Sequence, residues 1–299
     1  MFKVGAMSYS LVGLLENEEP TWQRLLEVAA DVGADGVEFY DSHWGVTAAD
    51  VECADQVRTR AEALGIEVFA LGSGARLGFA DERRAAAMET IRTQIRAAAA
   101  VGAQVVTFPA IDTPPVPPGR DPAQGGLDFG AGAGPLVEQV QELADFASQH
   151  SVRLALLNHC FFVYSSWHQE WVTKLAASAW AGACLDPGNY LYYTDEDPVS
   201  ATRRLAGNIH MVRLGDWMRR DASDVAADFA EGKRLQLYQG APFGAGEVDH
   251  TACFQILKDS GYKGFLSMKS AGASPDGPAA ALRQALERTR AMVGAVSDK

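Results

Sequence analysis

Charged and polar side chains stand where several short apolar segments of the sequence end. They are an acid, an imidazole, a second acid, a guanidinium group and an ammonium group, at Glu38, His159, Asp186, Arg213 and Lys269. Such groups can move protons and can stabilise negative charge that develops on a substrate oxygen. Because a buried charge is costly without a partner, a structural alternative stays open, in which the two carboxylates neutralise the two cations.

Eight short segments, apolar or β-branched, have the composition of strands that are buried on both faces. These predicted strands are Lys3–Met7, Gly36–Tyr40, Glu67–Leu71, Gln104–Phe108, Arg153–Leu157, Ala183–Asp186, His210–Leu214 and Phe265–Lys269. Longer segments with apolar residues three and four positions apart separate them and predict helices. These predicted helices are Trp22–Val32, Ala49–Leu64, Asp81–Val101, Leu136–His150, Glu170–Ser178, Pro198–Leu205, Thr251–Lys258 and Pro278–Val293.

This alternation predicts an α/β fold, a (β/α)8 TIM barrel formed by residues 1–299 as one domain. An open doubly wound sheet is disfavoured because no GxGxxG sequence follows the first strand. Four helices run into a glycine before the next strand, at Gly33, Gly65, Gly102 and Gly261, which predicts left-handed helix ends there. In a barrel the polar strand ends meet at the C-terminal mouth, where barrel enzymes place their sites.

Two long segments, residues 111–134 and 215–249, are predicted to be irregular βα loops at this mouth, acting as a lid or an oligomer contact. The first is rich in proline and glycine. The second contains the basic pair Arg219 and Arg220 and the turn sequence that begins at Pro242.

The overall composition narrows the class of protein. The net charge of −12 over 299 residues argues against a nucleic-acid surface. The sequence has no apolar run of the roughly 18 residues that span a bilayer and no signal-peptide pattern, so we expect a cytoplasmic protein without a membrane partner. The four cysteines, Cys53, Cys160, Cys184 and Cys253, include no CxxC pair and are expected to be free thiols.

Five motifs give the sequence a family resemblance. They are GADGVEFY (33–40), VRLALLNH (152–159), CLDPGN (184–189), HMVRLGD (210–216) and the segment 244–269 with its Gly-x-Gly-x-x-Asp and Gly-Tyr-x-Gly elements. Over nearly its whole length the chain resembles the xylose-isomerase-like barrels, which include sugar and sugar-phosphate isomerases, ketose 3-epimerases and endonuclease IV relatives. The resemblance implies a TIM barrel that acts on a small molecule, and a homodimer or homotetramer.

The sequence departs from this family where the metal would bind. Metal-dependent members carry Glu, Asp, His and Glu at the ends of strands five to eight, and these ligands suit Mn²⁺ or Mg²⁺. Here the corresponding residues are Leu157, Asp186, Arg213 and Lys269, and Asn189 replaces a further histidine. We therefore expect a site with no metal and no other cofactor. A bound Mn or Mg ion is the alternative, and it requires a register shift that recovers a ligand such as His159 or His210.

The catalytic candidates are Lys269, Glu38 and His159. Lys269 could act as a base or a Schiff-base nucleophile, or it could simply form a salt bridge to Asp186. Glu38 could be a general acid or base, or a partner for one of the cations. His159 is expected to hydrogen-bond to substrate, although a lone histidine is often structural.

The substrate-binding candidates share a place at or just after a strand end. Arg213 is expected to clamp an anionic group, and Asp186 to orient the cations. The remaining candidates are Asn158, Asn189, Asp216, Trp44, Phe108 and Trp217, of which the three aromatic residues could instead be core.

These roles predict an isomerase or epimerase that uses metal-independent acid–base chemistry next to a carbonyl, on a small polar or anionic substrate. Three alternatives stay open. They are a cyclase, lyase or hydrolase of specialised metabolism, a non-catalytic ligand-binding barrel, and an ordinary metal-dependent sugar isomerase.

Overall fold

Eight parallel strands form a closed barrel at the centre of the computed structural model, which describes residues 2–15, 18–44, 51–111, 129–159, 162–231 and 236–297. The barrel strands are β1 (Lys3–Met7), β2 (Gly36–Tyr40), β3 (Glu67–Gly72), β4 (Val105–Phe108), β5 (Arg153–Leu157), β6 (Ala181–Leu185), β7 (Ile209–Leu214) and β10 (Phe265–Met268). Neighbours in sequence are neighbours in the barrel, and β10 closes it between β7 and β1. The predicted TIM barrel is confirmed.

Helices connect successive barrel strands and surround the barrel. They are α1 (Ser8–Val12), α2 (Trp22–Asp31), α3 (Asp41–Trp44), α4 (Val51–Ala63), α5 (Arg83–Val101), α6 (Phe129–Gln149), α7 (Ser166–Ala176), α8 (Pro187–Thr194), α9 (Pro198–Leu205), α10 (Ala222–Ala230), α11 (His250–Asp259) and α12 (Pro278–Ser297). The four glycines predicted to end helices have positive φ angles of 71° to 87°, which is the left-handed conformation that glycine adopts without steric cost.

The barrel interior is filled at its N-terminal end by aromatic rings. Phe69 and Phe265 stack with their centroids 4.0 Å apart. Glycines on neighbouring strands make this possible, because a Cβ at Gly5 would lie 2.3 Å from the Phe69 ring and one at Gly36 would lie 2.9 Å from it. The apolar filling continues upward through Leu157 and its neighbours, so that open space and polar groups are left to the C-terminal mouth.

The second predicted loop contains regular structure. Within residues 215–249, strands β8 (Asp216–Arg219) and β9 (Tyr238–Ala241) pair as an antiparallel hairpin, and α10 lies between them. The prediction of an irregular segment was therefore wrong. It was also wrong for the end of the first loop, since α6 already begins at Phe129, whereas residues 112–128 lie outside the described residues.

The base of the hairpin is held by one carboxylate. Asp216 is buried and accepts hydrogen bonds from the backbone N–H groups of Trp217, Gly244, Gly246 and Val248. Accepting several N–H groups satisfies a buried carboxylate without a counter-ion. The hairpin is thereby fixed above β7.

In the part of the chain that the structure describes, no helix is long and apolar enough to cross a membrane.

Candidate active site

A cavity of about 430 Å³ opens at the C-terminal mouth of the barrel. Its lining includes the predicted residues His159, Asp186, Asn189, Arg213, Lys269 and Trp217. Pockets at this face are the usual location of active sites in TIM barrels. The structure therefore brings six of the eleven predicted site residues to one cavity.

Arg213 and Glu38 form a buried ion pair beneath this cavity. Nε and Nη2 of Arg213 donate to Oε1 of Glu38 at 2.9 and 2.5 Å, and Nη2 also donates to Thr107 Oγ1 at 2.6 Å. Ser267 donates to the other carboxylate oxygen at 2.7 Å. Burial alone would lower the pKa of Arg213, but the Glu38 carboxylate outweighs burial and raises it, so the guanidinium stays charged.

The position of Glu38 decides between its two predicted roles. The side chain is fully buried, and the cavity is lined by Arg213 rather than by Glu38. With both carboxylate oxygens engaged, Glu38 fits the role of partner to Arg213 better than that of an acid or base in contact with substrate.

A second ion pair lies at the end of β6. Lys269 Nζ contacts the Asp186 carboxylate and donates to Asn189 Oδ1 at 3.0 Å. Asp186 also caps α8 by accepting from the Asn189 backbone N–H at 3.2 Å. The salt bridge predicted as the alternative role of Lys269 is thus present in the structure.

Two asparagine side chains tie the ends of β5 and β6 together. Asn158 Nδ2 donates to the Asp186 carbonyl at 2.8 Å, and Asn189 Nδ2 donates to the Asn158 carbonyl at 3.0 Å. Asn158 is fully buried and lies outside the cavity lining. Its role is to position Asp186, whereas Asn189 both positions Lys269 and faces the cavity.

His159 brings a neutral imidazole to the cavity. Burial, followed by the nearby cations Lys269 and Arg213, lowers its pKa to about 4. The imidazole is therefore uncharged near neutral pH and has a ring nitrogen that can accept a proton. The edge of Tyr193 packs against the ring, with the centroids 5.8 Å apart.

Tyrosines that the sequence analysis missed form much of the cavity wall: Tyr9, Tyr40, Tyr192 and Tyr193. Tyr192 stacks on Trp217 at 4.4 Å. A signal was available in the sequence, because Tyr40 is the last residue of a predicted strand and the run YLYY follows the strand-six motif directly.

Besides Asn158, two predicted binding residues, Asp216 and Phe108, are not in the cavity wall. Asp216 holds the hairpin, as described above. Phe108 is buried among the core residues outside the barrel, because its neighbour Thr107 points inward and adjacent strand residues alternate in direction. The side chain of Trp44 lies outside the described residues.

The donor groups at the cavity do not fit a divalent metal ion. Among the described residues, no three or more His, Cys, Asp and Glu side chains are grouped so that they could hold one. The carboxylate that lines the cavity, Asp186, is already paired with Lys269, and Arg213 adds a second positive charge. Hard divalent cations require several oxygen ligands and are repelled by such groups.

A model of a known protein family matches most of the chain. The model of the family described as xylose isomerase-like TIM barrel matches residues 26–292. The chain therefore belongs to this family, and the predicted resemblance is confirmed. No curated protein sequence matches the chain.

Solved structures show the same fold at low sequence identity. A 3-keto-D-glucoside 4-epimerase from E. coli is 16% identical, with 97% of this chain and 100% of that chain covered and a TM-score of 0.72. A D-psicose 3-epimerase from Clostridium cellulolyticum H10, determined with D-tagatose, is 16% identical, with coverages of 97% and 99% and a TM-score of 0.70. A barrel protein from Mycobacterium smegmatis in complex with magnesium is 15% identical, with coverages of 99% and 98% and a TM-score of 0.72.

Proposed function

We propose that this xylose isomerase-like barrel is an isomerase- or epimerase-type enzyme that moves a proton next to the carbonyl group of a small anionic substrate without a metal ion. The observation that carries the proposal is the composition of the cavity floor. Two cations, Arg213 and Lys269, lie at strand ends beside the neutral imidazole of His159. Cations of this kind can stabilise an enolate oxygen in the way that a metal ion would.

His159, Arg213 and Lys269 each have a defined role in this reaction. His159 removes a proton from the carbon next to the carbonyl, and the electron pair of that C–H bond moves to the carbonyl oxygen. Arg213 and Lys269 donate hydrogen bonds to the resulting enolate oxygen. Return of a proton to carbon, on the same or the opposite face, restores the carbonyl and gives exchange or epimerisation.

The pKa of His159 is compatible with this role once substrate is bound. In the empty cavity burial, followed by the two cations, lowers the pKa to about 4. An anionic substrate between these cations and the ring neutralises their field, which raises the pKa of His159 by the part of the shift that the cations cause. The base then becomes stronger when its substrate is present.

Support also comes from the relatives. Two of the similar structures are epimerases by name, and both keep the barrel over nearly their full length. We propose for this chain the same kind of proton transfer at a carbon centre. We do not propose a metal ion for it, because the residues at its strand ends do not fit one.

The test is deuterium exchange at carbon. The full-length protein in D2O with EDTA is incubated with pyruvate, oxaloacetate, phenylpyruvate and glyceraldehyde 3-phosphate, and incorporation is followed by mass spectrometry. We expect exchange with at least one compound, a loss of at least 100-fold in His159→Gln, and no change in His150→Gln, directly after the end of α6, as the matched control.

Two results would overturn the proposal. Exchange that EDTA abolishes and Mn²⁺ restores would identify a metal-dependent isomerase. Binding of these anions with no exchange, in the wild-type protein and in His159→Gln alike, would identify a non-catalytic barrel. Elemental analysis of the purified protein, together with thermal melts in EDTA and in Mn²⁺, gives an independent reading, for which we expect substoichiometric metal and unchanged melting temperatures.

A further inference from the structure

Aromatic side chains occupy two opposite sides of the cavity. Tyr9 and Tyr40 belong to the β1 and β2 side, whereas Tyr192 and Trp217 follow β6 and β7. In the closed order of eight strands, β2 and β6 are four strands apart in either direction. The Tyr40 wall and the Trp217 wall therefore lie on opposite sides of the mouth.

Each wall is fixed by its own contacts. The ring centroids of Tyr9 and Tyr40 lie 4.8 Å apart, and the His43 ring packs against both of them in T-shaped arrangements. Burial raises the pKa of Tyr40 to about 12, so its ring remains a neutral phenol. Preformed rings lose little entropy when a ligand binds between them.

The opposite wall is equally constrained. Trp217 stacks on Tyr192 at an interplanar angle of 29°, and its own backbone N–H is bound by the Asp216 carboxylate. Gln236 donates a hydrogen bond to the Tyr192 hydroxyl. Both walls thus present ring surfaces whose positions are set before any ligand arrives.

A glycine lies against a ring of each wall, and one of the two, Gly74, itself lines the cavity. A Cβ at Gly74 would lie 2.7 Å from the Tyr40 hydroxyl, and a Cβ at Gly188 would lie 2.4 Å from Cδ1 of Trp217. Neither glycine has a positive φ, so backbone conformation alone does not require glycine at these positions. Their common effect is that no side chain at either position collides with the ring beside it, so both rings keep the positions that leave the space between the walls open.

Between the walls, the cavity floor formed by Arg213 and Lys269 supplies positive charge that can bind an anion. The hydrogen bonds of Arg213 to described residues use Nε and Nη2, which leaves Nη1 for a ligand. The Asp186 carboxylate is already engaged by Lys269 and by a backbone N–H. A sugar needs several acceptors around its hydroxyl groups, whereas a flat anion needs ring surface and donors.

We propose that the slot between the Tyr40 and Trp217 walls selects a flat, conjugated carboxylate, with a width set by Gly74 and Gly188. The substrate class is then an aromatic 2-oxo acid rather than a sugar. This inference rests on the proposed function for its carbonyl chemistry, but the affinity for the ring is measurable on its own. Aromatic rings and bases stack strongly on such side chains.

The test compares two 2-oxo acids that differ only by a ring, pyruvate and phenylpyruvate. Calorimetric titration of the full chain in EDTA is expected to give at least tenfold tighter binding of phenylpyruvate. Gly74→Ala, which places a methyl group in the cavity lining against the Tyr40 hydroxyl, should weaken binding of phenylpyruvate at least fivefold and leave that of pyruvate within twofold. Gly134→Ala, on α6 with nothing within 4 Å of the added Cβ, is the matched control and should change neither.

The outcomes separate this inference from the proposed function. Equal affinities for the two acids, equal weakening of both by Gly74→Ala, or no binding of either at millimolar concentration overturns the aromatic slot. Exchange that depends on His159 would still support the function in the first two cases. Conversely, preferential binding of phenylpyruvate without such exchange keeps the slot and removes the catalytic proposal.

Discussion

Replacing Glu38 by glutamine tests whether the buried ion pair holds the mouth of the barrel together. The substitution keeps the shape and one acceptor oxygen but leaves the Arg213 guanidinium, which is only 7% exposed, without a counter-charge. Breaking a buried pair from one side costs about 3–5 kcal/mol. With a urea m value of about 3 kcal/mol per molar for a chain of this size, the unfolding midpoint should fall by roughly 1 to 1.7 M.

Two further variants make this prediction refutable. Removing both partners in Glu38→Leu/Arg213→Met should recover most of the lost stability, because no unpaired charge is left. Glu67→Gln is the surface control, since the Lys3–Glu67 pair is more than half exposed on both sides and should contribute at most about 1 kcal/mol. If Glu38→Gln costs no more than Glu67→Gln, the buried pair does not stabilise the fold and the reasoning is wrong.

Two other predictions concern buried titratable groups. Burial lowers the pKa of His250 to about 4, so the unfolded chain takes up a proton between about pH 6.5 and 4 that the folded chain does not. Stability is therefore present above pH 6.5 and is lost as the pH falls toward 4, by up to about 1.4 kcal/mol per pH unit. Urea midpoints should show this slope, and a His250→Phe variant with an unchanged slope would contradict it. Burial also raises the pKa of Cys253 to about 11 and that of Cys184 further. Iodoacetamide at pH 8 should therefore modify the half-buried Cys53 before Cys184 and Cys253, and peptide mapping that found Cys184 alkylated in the folded protein would refute this order.

The barrel was predictable from the sequence because its signals are local and repeated. Each strand is a short apolar run, and the glycines at Gly33 and Gly102 end their helices in the left-handed conformation wherever the chain turns into the next strand. These features depend on neighbours a few residues apart. The α/β alternation then leaves few topologies to choose from.

The β8–β9 hairpin could not be predicted from local sequence signals. Its strands, β8 and β9, are joined through a helix and are stabilised by contacts between residues far apart in sequence, such as the Asp216 carboxylate with the N–H of Val248. Glu247 likewise accepts from the backbone of Arg219 at 2.7 Å. No pattern within the segment carries that information.

The candidate site was partly predictable. Charged residues at strand ends had to find partners. The structural alternative named the Lys269–Asp186 pair and left Glu38 to pair with either cation, and in the structure Glu38 pairs with Arg213. The aromatic prediction was less successful, because Phe108 was chosen for its position and not for its direction. Counting from the inward Thr107 would have excluded it. Tyr9 and Tyr192 lie on helices of five and eight residues, too short to show a clear period.

The Asp216 carboxylate divides the β8–β9 hairpin into a base that is fixed to the barrel and a tip that can vary. It clamps both ends of the hairpin at the barrel, with Trp217 immediately beside the clamp, whereas the described residues between Arg219 and Tyr238 make no bond to it. Helix α10 at the hairpin tip can therefore be lengthened, shortened or exchanged without moving the indole that faces the cavity, as long as Gln236 is kept to bind the Tyr192 that stacks on Trp217. The outer surface of the hairpin and the aromatic wall inside the mouth can thus be altered independently, in evolution and in the laboratory.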